Sequence, residues 1–195
     1  MKVTREQAIE NRERVLAVAA QLFRERGFDG VGVADIMKTA GLTHGGFYGQ
    51  FASKDDLLAQ ASTRALQSGG AWWHQLAADA PSQPLAAVTA AYLSAAHRDQ
   101  PGKGCWVATL GPEVARQTAP VRRAFTEGIE AACAQLMQWL PGRSKAARRE
   151  KALLTYASMV GAMVLARAVD DAALSEEILQ AVAVALPKGV PASAT

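Results

Sequence analysis

Apolar residues recur at intervals of three or four positions along almost the whole chain, and no alternating pattern typical of strands competes with this period. Connections rich in Pro, Gly and Asp, such as 79–84 and 99–104, interrupt the pattern. The spacing predicts about nine helices, over residues 4–26, 33–40, 44–51, 53–78, 85–98, 105–116, 120–140, 144–169 and 175–186. We therefore expect an all-α fold.

The first predicted helix carries signals at both ends. Thr4 and Gln7 have the spacing of a capping box. In this motif the Thr4 side chain accepts from the Gln7 amide, and the Gln7 side chain accepts from the Thr4 amide. Gly27 follows the last apolar position, where a glycine commonly ends a helix. The apolar stripe of this helix leaves Arg12 and Arg24 on the side predicted to face solvent.

Two short predicted helices, 33–40 and 44–51, are joined by a tight turn at Gly41. This arrangement is typical of a helix-turn-helix. Ile36, Ala40 and Phe47 have the spacing to pack inward, so the start of the second short helix faces outward. In such motifs that helix presents its first residues to base edges in the major groove. The pattern indicates a DNA-binding surface around residue 44.

At this point a family resemblance can be read from the residues. Residues 12–57 resemble the DNA-binding domain of the TetR/AcrR family of helix-turn-helix transcriptional regulators. The matching segments are Arg-Val-Leu-Ala-Val-Ala-Ala-Gln-Leu-Phe-Arg-Glu-Arg-Gly-Phe from Arg14, Ala-Gly-Leu-Thr from Ala40, and Phe-Tyr-Gly-Gln-Phe-Ala-Ser-Lys-Asp-Asp-Leu from Phe47. The resemblance implies a three-helix DNA-binding domain over 1–53, a helical ligand-binding and dimerisation domain over 54–187, and a flexible tail over 188–195.

The resemblance also implies DNA contacts for seven residues: Thr43, His44, Gly45, Gly46, Tyr48, Gln50 and Lys54. Thr43 would cap the third helix and touch a phosphate, while the next three residues would lie nearest the bases. Tyr48 and Lys54 would donate to phosphates, with Gln50 as a further backbone contact. His44 reads a base in one alternative and contacts only a phosphate in the other. The implied partner is double-stranded DNA carrying a palindromic operator.

This segment departs from the family pattern in two ways. Gly32 stands where the family commonly has Ser or Thr, so no hydroxyl is available to cap the second helix. Gly45, Gly46 and Gly49 all fall within the third predicted helix, and each costs about 1 kcal/mol of helix stability relative to Ala. We expect this helix to be weakly formed without DNA, and close backbone approach and shape readout to contribute to recognition.

By the same resemblance, the remaining helices form an effector pocket and a dimer interface. The large and reactive side chains assigned to a pocket for a small organic effector are Trp73, Tyr92, Cys105, Trp106, Phe125 and Tyr156. We expect a homodimer through helices eight and nine, because helix eight has a wide apolar face that includes Ala152, Thr155, Tyr156, Met159 and Met163. The alternative is that this face closes the core of a single subunit.

Cys105 supports a second hypothesis. It is predicted to begin a helix, and Lys103 lies close by in the sequence; both features favour a reactive thiolate. The Gly-Cys start of this helix also resembles a family branch in which some members sense electrophiles or oxidants. The alternatives are therefore a cysteine-sensing repressor and a small buried apolar residue. Cys133 falls within an apolar helix and is predicted to be structural.

Charge and composition add little to the DNA prediction. The net charge of the 195 residues is +3, and residues 1–54 hold eight Lys or Arg against six Asp or Glu. No apolar run is long enough for a membrane span and no signal peptide is evident, so we expect a cytoplasmic protein without a membrane partner. No metal motif, phosphate-binding loop or Ser/His/Asp set is present, so neither a metal, a cofactor nor enzymatic activity is expected. An enzyme on a helical fold and an activator remain the less favoured alternatives.

Overall fold

A computed structural model describes residues 4–188, except for the side chain of Lys188. Within these residues there are nine α-helices, two short 3-10 turns and no strand, which confirms the all-α prediction. The helices are α1 (Arg5–Arg26), α2 (Val33–Thr39), α3 (Lys54–Asp79), α4 (Pro84–Tyr92), α5 (Ala95–Arg98), α6 (Trp106–Val114), α7 (Ala119–Trp139), α8 (Lys145–Ala168) and α9 (Ala172–Lys188). Apart from the backbone of Lys188, the tail predicted over 188–195 lies outside the described residues.

Local signals place most helix ends. The hydroxyl of Thr4 accepts a hydrogen bond from the amide of Gln7 at 3.2 Å, as the capping box predicts. Gly27 ends α1 with a φ of 74°, a conformation that only glycine adopts readily. The Ser53 hydroxyl accepts from the Asp56 amide at 3.0 Å and caps α3. Helix α9 begins at Ala172, earlier than predicted, because the Asp171 carboxylate accepts from the amide of Ala173 at 2.8 Å.

Two helix predictions are wrong. Residues 44–51 do not form an α-helix: a 3-10 turn, His44–Gly46, is followed by an irregular turn. Gly45, Gly46 and Gly49 explain this difference, since glycine loses more backbone entropy than other residues on entering a helix. The helix predicted over 85–98 is divided into α4 and α5, because the hydroxyl of Ser94 caps a new helix by accepting from the His97 amide at 3.2 Å.

The chain packs into two compact units. The first contains the described residues up to 67 together with 101–127, and the second contains 68–100 and the described residues from 128 onward. In the first unit, α1, α2 and the start of α3 share a core with α6 and the start of α7, which contribute Trp106 and Phe125. The functional division predicted at residue 53 remains a prediction, because packing and function need not share a boundary.

In the second unit, α8 packs against α9 and α5, and α4 packs against α9. The apolar face of α8 singled out from the sequence, with Ala152, Thr155, Tyr156, Met159 and Met163, is buried within this unit. The alternative that this face closes the core of one subunit is therefore confirmed. No helix within residues 4–188 has the length and apolar character needed to cross a bilayer.

Candidate nucleic-acid interface

The helix-turn-helix is organised around a glycine turn. After α2, Gly41 adopts a φ of 72°, and the amide of Leu42 donates to the carbonyl of Met37 at 2.9 Å. The inward side chains are those predicted, since Ile36, Ala40 and Phe47 are each no more than 2% exposed. Gly32 precedes α2 and makes no side-chain cap, because glycine has no hydroxyl that could accept a hydrogen bond. The buried side of the motif thus fixes which residues face outward.

Five of the seven residues predicted to contact DNA lie together on the outer side of this motif. Thr43, His44, Gly45, Gly46 and Tyr48 are all exposed, and Tyr48 is 69% exposed despite its size. The rings of His44 and Tyr48 lie 6.1 Å apart in an edge-to-face arrangement. We call this surface, residues 43–48 without the buried Phe47, the reading face.

Thr43 does not cap the third helical segment as the resemblance implies, and Gln50 makes a hydrogen bond within the motif. The Thr43 side chain makes no capping hydrogen bond, because the amide of Gly46 donates instead to the backbone carbonyl of Thr43 at 3.0 Å. The side-chain amide of Gln50 donates to the carbonyl of Gly46 at 3.2 Å. Gln50 is half-buried, and its bond to Gly46 is internal to residues 44–51, which we call the recognition segment.

Lys54, the seventh residue, is the first residue of α3. Its ammonium donates to the carbonyl of Phe28 at 2.7 Å, and its side chain is half-buried. The N-terminus of a helix attracts anions, because several backbone amides are without partners there and the helix dipole is positive. A phosphate at this end of α3 would therefore meet both the ammonium and the helix terminus.

Arg12 holds the end of residues 44–51 in place, a role that the sequence did not indicate. Although predicted to face solvent, its guanidinium is half-buried and donates to the carbonyl of Gln50 and to the side-chain oxygen of Gln60. It also lies over the ring of Phe51, 4.5 Å from the ring centre. Gln60 in turn donates to Asp56 at 2.8 Å. Arg12 therefore ties the end of the recognition segment to α1 and α3.

Arg24 was also predicted to face solvent, and this prediction is wrong. Its guanidinium lies 4.9 Å from the centre of the Trp106 ring and donates to the carbonyl of Gly102 at 2.9 Å. Burial lowers the pKa of Arg24 to about 10, so the side chain remains charged at neutral pH. No helical period of α1 could indicate this contact, because Gly102 lies 78 residues further along the chain.

The six residues predicted to line an effector pocket are divided between the two units. Trp73, Tyr92 and Tyr156 meet in the second unit, with the Trp73 ring 6.0 Å from Tyr92 and 5.8 Å from Tyr156. Trp106 and Phe125 are buried in the core of the first unit. Cys105 belongs to the same unit but not to its buried core. A groove of about 370 Å³ between α3 and α7 is lined by none of the six.

Cys105 is the N-cap of α6, next to the helix start predicted from the sequence. Its sulfur accepts from the amide of Ala108 at 3.5 Å, and its side chain is half-buried. It also interacts electrostatically with the charged Arg24. Cys133 is fully buried, and burial raises the pKa of its thiol. In the part of the chain that is described, no three His, Cys, Asp or Glu side chains are grouped so as to hold a metal.

The fold and the reading face define a helical protein with an N-terminal helix-turn-helix, and comparison with known proteins agrees. Residues 15–61 match the model of the tetR family of bacterial regulatory proteins. The transcriptional regulator AcrR of Shigella flexneri is 31% identical over 85 residues, which cover 44% of this chain and 40% of that protein. The repressor NemR of Escherichia coli is 44% identical over 46 residues, which cover 24% of this chain and 23% of NemR. The chain thus aligns with less than half the length of these curated relatives.

Solved structures extend the likeness in fold to nearly the full chain. The crystal structure of reduced Escherichia coli NemR covers 95% of this chain and 100% of its own, with a TM-score of 0.78 and 24% identity. A TetR-family regulator from Agrobacterium tumefaciens covers 91% of this chain and 97% of its own, with a TM-score of 0.75 and 22% identity. Residues 15–61 therefore resemble the tetR family in sequence, and the described chain shares the fold of solved TetR-family regulators.

Proposed function

We propose that this chain is a homodimeric TetR-type repressor that binds a palindromic operator and leaves it when a small organic ligand binds. The observation that carries the DNA-binding half is the exposed reading face, which is backed by the buried core of a helix-turn-helix. The family match over 15–61 covers this face. The site of action is the cytoplasm, where a bacterial regulator meets DNA, and the proposal includes no catalytic step.

Each of the proposed contact groups has a chemical role at the DNA. The hydroxyl of Tyr48 and the ammonium of Lys54 donate to phosphates, which sets the register of the protein on the duplex. His44 is the side chain placed to meet a base edge, and Gly45 and Gly46 let the backbone approach closely because they carry no side chain. With so few side chains available, shape and water-mediated readout supply the remaining specificity.

The DNA-binding proposal predicts a change in salt dependence. On a duplex that the protein selects from random sequences, Lys54→Met should lower the slope of log Kd against log salt by about 0.9 per phosphate contact, or about 1.8 for two subunits. Tyr48→Phe should weaken binding several-fold with the slope unchanged, since it removes an uncharged donor. Lys103→Met is the matched control, because Lys103 is exposed in the turn Pro101–Lys103, which is not part of the helix-turn-helix. Equal slopes for the two lysine variants would contradict the proposal.

The dimer is supported by an apolar surface of the second unit that has no cover within one subunit. Leu153 and Leu154 of α8 are each 44% exposed and Leu165 is 56% exposed. On α9, Leu174 and Val184 are 43% and 49% exposed. Exposed apolar residues that follow a helical period on two adjacent helices indicate a subunit interface. The proposed interface therefore uses these exposed apolar residues of α8 and α9, and not the buried face of α8.

For the effector, the proposal keeps the three aromatic residues of the second unit. Trp73, Tyr92 and Tyr156 are nearly buried, and the Trp73 ring meets both tyrosine rings edge to face. The proposal is that these rings would line the site of a planar organic ligand. Helix α3 contains both Lys54 and Trp73, so a ligand-dependent shift of this helix would alter the phosphate contact.

A second candidate, release by an electrophile acting at Cys105, is favoured by the position of this thiol. It is half-buried at the N-terminus of α6 and interacts electrostatically with the charged Arg24. N-ethylmaleimide should then release the protein from its operator, and Cys105→Ser should abolish release while leaving DNA binding intact. Cys133→Ser is the matched control, which should respond like the parent protein. Release of the Cys105→Ser protein would sink this candidate.

A further inference from the structure

The backbone of Phe28 is held from two sides. Its amide donates to the Glu113 carboxylate on α6 at 2.8 Å, and its carbonyl accepts from the Lys54 ammonium at 2.7 Å. Both bonds are charge-assisted, which makes them shorter and stronger than bonds between neutral groups. A single residue in the loop after α1 thus connects α6 with the first residue of α3.

The surroundings leave Phe28 little freedom to move. Its ring is 1% exposed and lies 5.7 Å from Phe23 and 6.3 Å from Trp106, which is itself on α6. The preceding residue, Gly27, has a φ of 74°, and a Cβ built there would lie only 2.9 Å from the Glu113 carboxylate. The carboxylate therefore occupies space that any other residue at position 27 would need.

Lys54 needs such a partner. A cation at the N-terminus of a helix meets the positive end of the helix dipole, and a lysine side chain samples many rotamers when nothing holds it. The Phe28 carbonyl offsets the dipole and fixes the direction of the ammonium. An ammonium has three donors, so one bond to this carbonyl leaves others for a phosphate.

We infer that Glu113 is a positioning residue for DNA binding, which acts by fixing the Phe28 backbone that aims Lys54 at a phosphate. The inference rests on the proposed function, because it requires that Lys54 contacts DNA. It assigns a part in DNA binding to a residue of α6, 59 positions beyond Lys54 in the sequence. Glu113 itself need not touch the DNA.

The test compares Glu113→Ala with Glu113→Gln on the full-length protein and the selected duplex. Glu113→Ala should weaken binding about tenfold and lower the salt slope about as much as Lys54→Met does, by about 1.8 for two subunits. Glu113→Gln keeps an acceptor for the Phe28 amide and should keep the parent slope. In the Glu113→Ala/Lys54→Met double variant the slope should fall no further, since both changes remove the same contact.

Controls separate this inference from its neighbours. Glu127→Ala removes an equal charge from an exposed position on α7 and should leave the slope unchanged. Circular dichroism and thermal melts compare the folding of each variant, and Glu113→Gln keeps the test informative if Glu113→Ala folds poorly. If Lys54→Met lowers the slope but Glu113→Ala does not, the inference is overturned while the proposed function stands. If Lys54→Met has no effect, the phosphate contact itself is wrong.

Discussion

The guanidinium of Arg12 joins three parts of the first unit: α1, the end of the recognition segment and the second turn of α3. It does so through the carbonyl of Gln50, the side chain of Gln60 and the ring of Phe51. Hydrogen bonds from a charged donor contribute more to stability than bonds between neutral groups, and a partly buried cation over an aromatic ring adds to them. The order of the recognition segment therefore depends on a residue of α1.

Arg12→Ala tests this role. We expect the free energy of unfolding to fall by about 1–3 kcal/mol, because two acceptors lose their charged donor. The measurement is urea denaturation followed by circular dichroism. Arg5→Ala, at an exposed position near the start of the same helix, should change stability by less than about 0.5 kcal/mol. Equal effects of the two variants would show that Arg12 is an ordinary surface residue.

The distance between partners along the chain separates the residues that the sequence predicts from those it does not. The caps by Thr4 and Ser53 involve amides three residues away, so their spacing alone predicts them. Arg12, Arg24 and Glu113 find their partners 38, 78 and 85 residues away. Such contacts depend on how the helices pack, which no periodicity of a single helix contains.

At the scale of elements, the recognition segment is the clearest departure from the predicted helices. Apolar spacing indicates a helix over 44–51, and the inward residues Phe47 and Phe51 are buried as that spacing requires. Helix propensity nevertheless prevails over the pattern, because three of the eight positions are glycine. The segment keeps the correct buried side while its backbone forms only a 3-10 turn and an irregular turn.

Two alanine substitutions distinguish the glycines of this motif. Gly49 does not have a positive φ, and a Cβ there would meet only the Gly46 carbonyl oxygen at 3.8 Å. Gly49→Ala should therefore raise the free energy of unfolding by about 0.5–1 kcal/mol. Gly41 has a φ of 72°, so Gly41→Ala should lower it by about 1–2 kcal/mol. Thermal melts of both proteins provide the test, and stabilisation by Gly41→Ala would contradict the turn geometry.

For the molecule as a whole, the surface of α8 bears on how two subunits would present two reading faces. A two-fold dimer places equal DNA-binding elements at a fixed separation, which matches the symmetry of a palindrome. The sequence predicts a wide apolar face on α8 as part of the dimer interface, but the residues of that face are buried within the subunit. Both faces of α8 carry apolar residues, so periodicity alone could not distinguish them.

Gly161→Arg tests the proposed interface. Gly161 lies on the exposed side of α8 between Leu154 and Leu165, and a Cβ built there meets nothing within 4 Å. The subunit should therefore fold normally, while a dimer would have to bury two unpaired charges and should dissociate. Gly69→Arg on α3, also an open helical position, is the matched control and should stay dimeric. Analytical ultracentrifugation measures the outcome, and a dimer that survives Gly161→Arg would place the interface elsewhere.

The most direct test of the central claim is selection of DNA by the purified protein from a pool of random duplexes. We predict enrichment of a palindrome whose half-sites lie about 34–36 Å apart, one helical turn, or a multiple of that distance. The same selection with the Tyr48→Phe/Lys54→Met protein, which folds around the same core, should enrich this palindrome weakly or not at all. Failure of the parent protein to enrich any sequence, or equal enrichment by the variant, would contradict the assignment of DNA binding to the reading face.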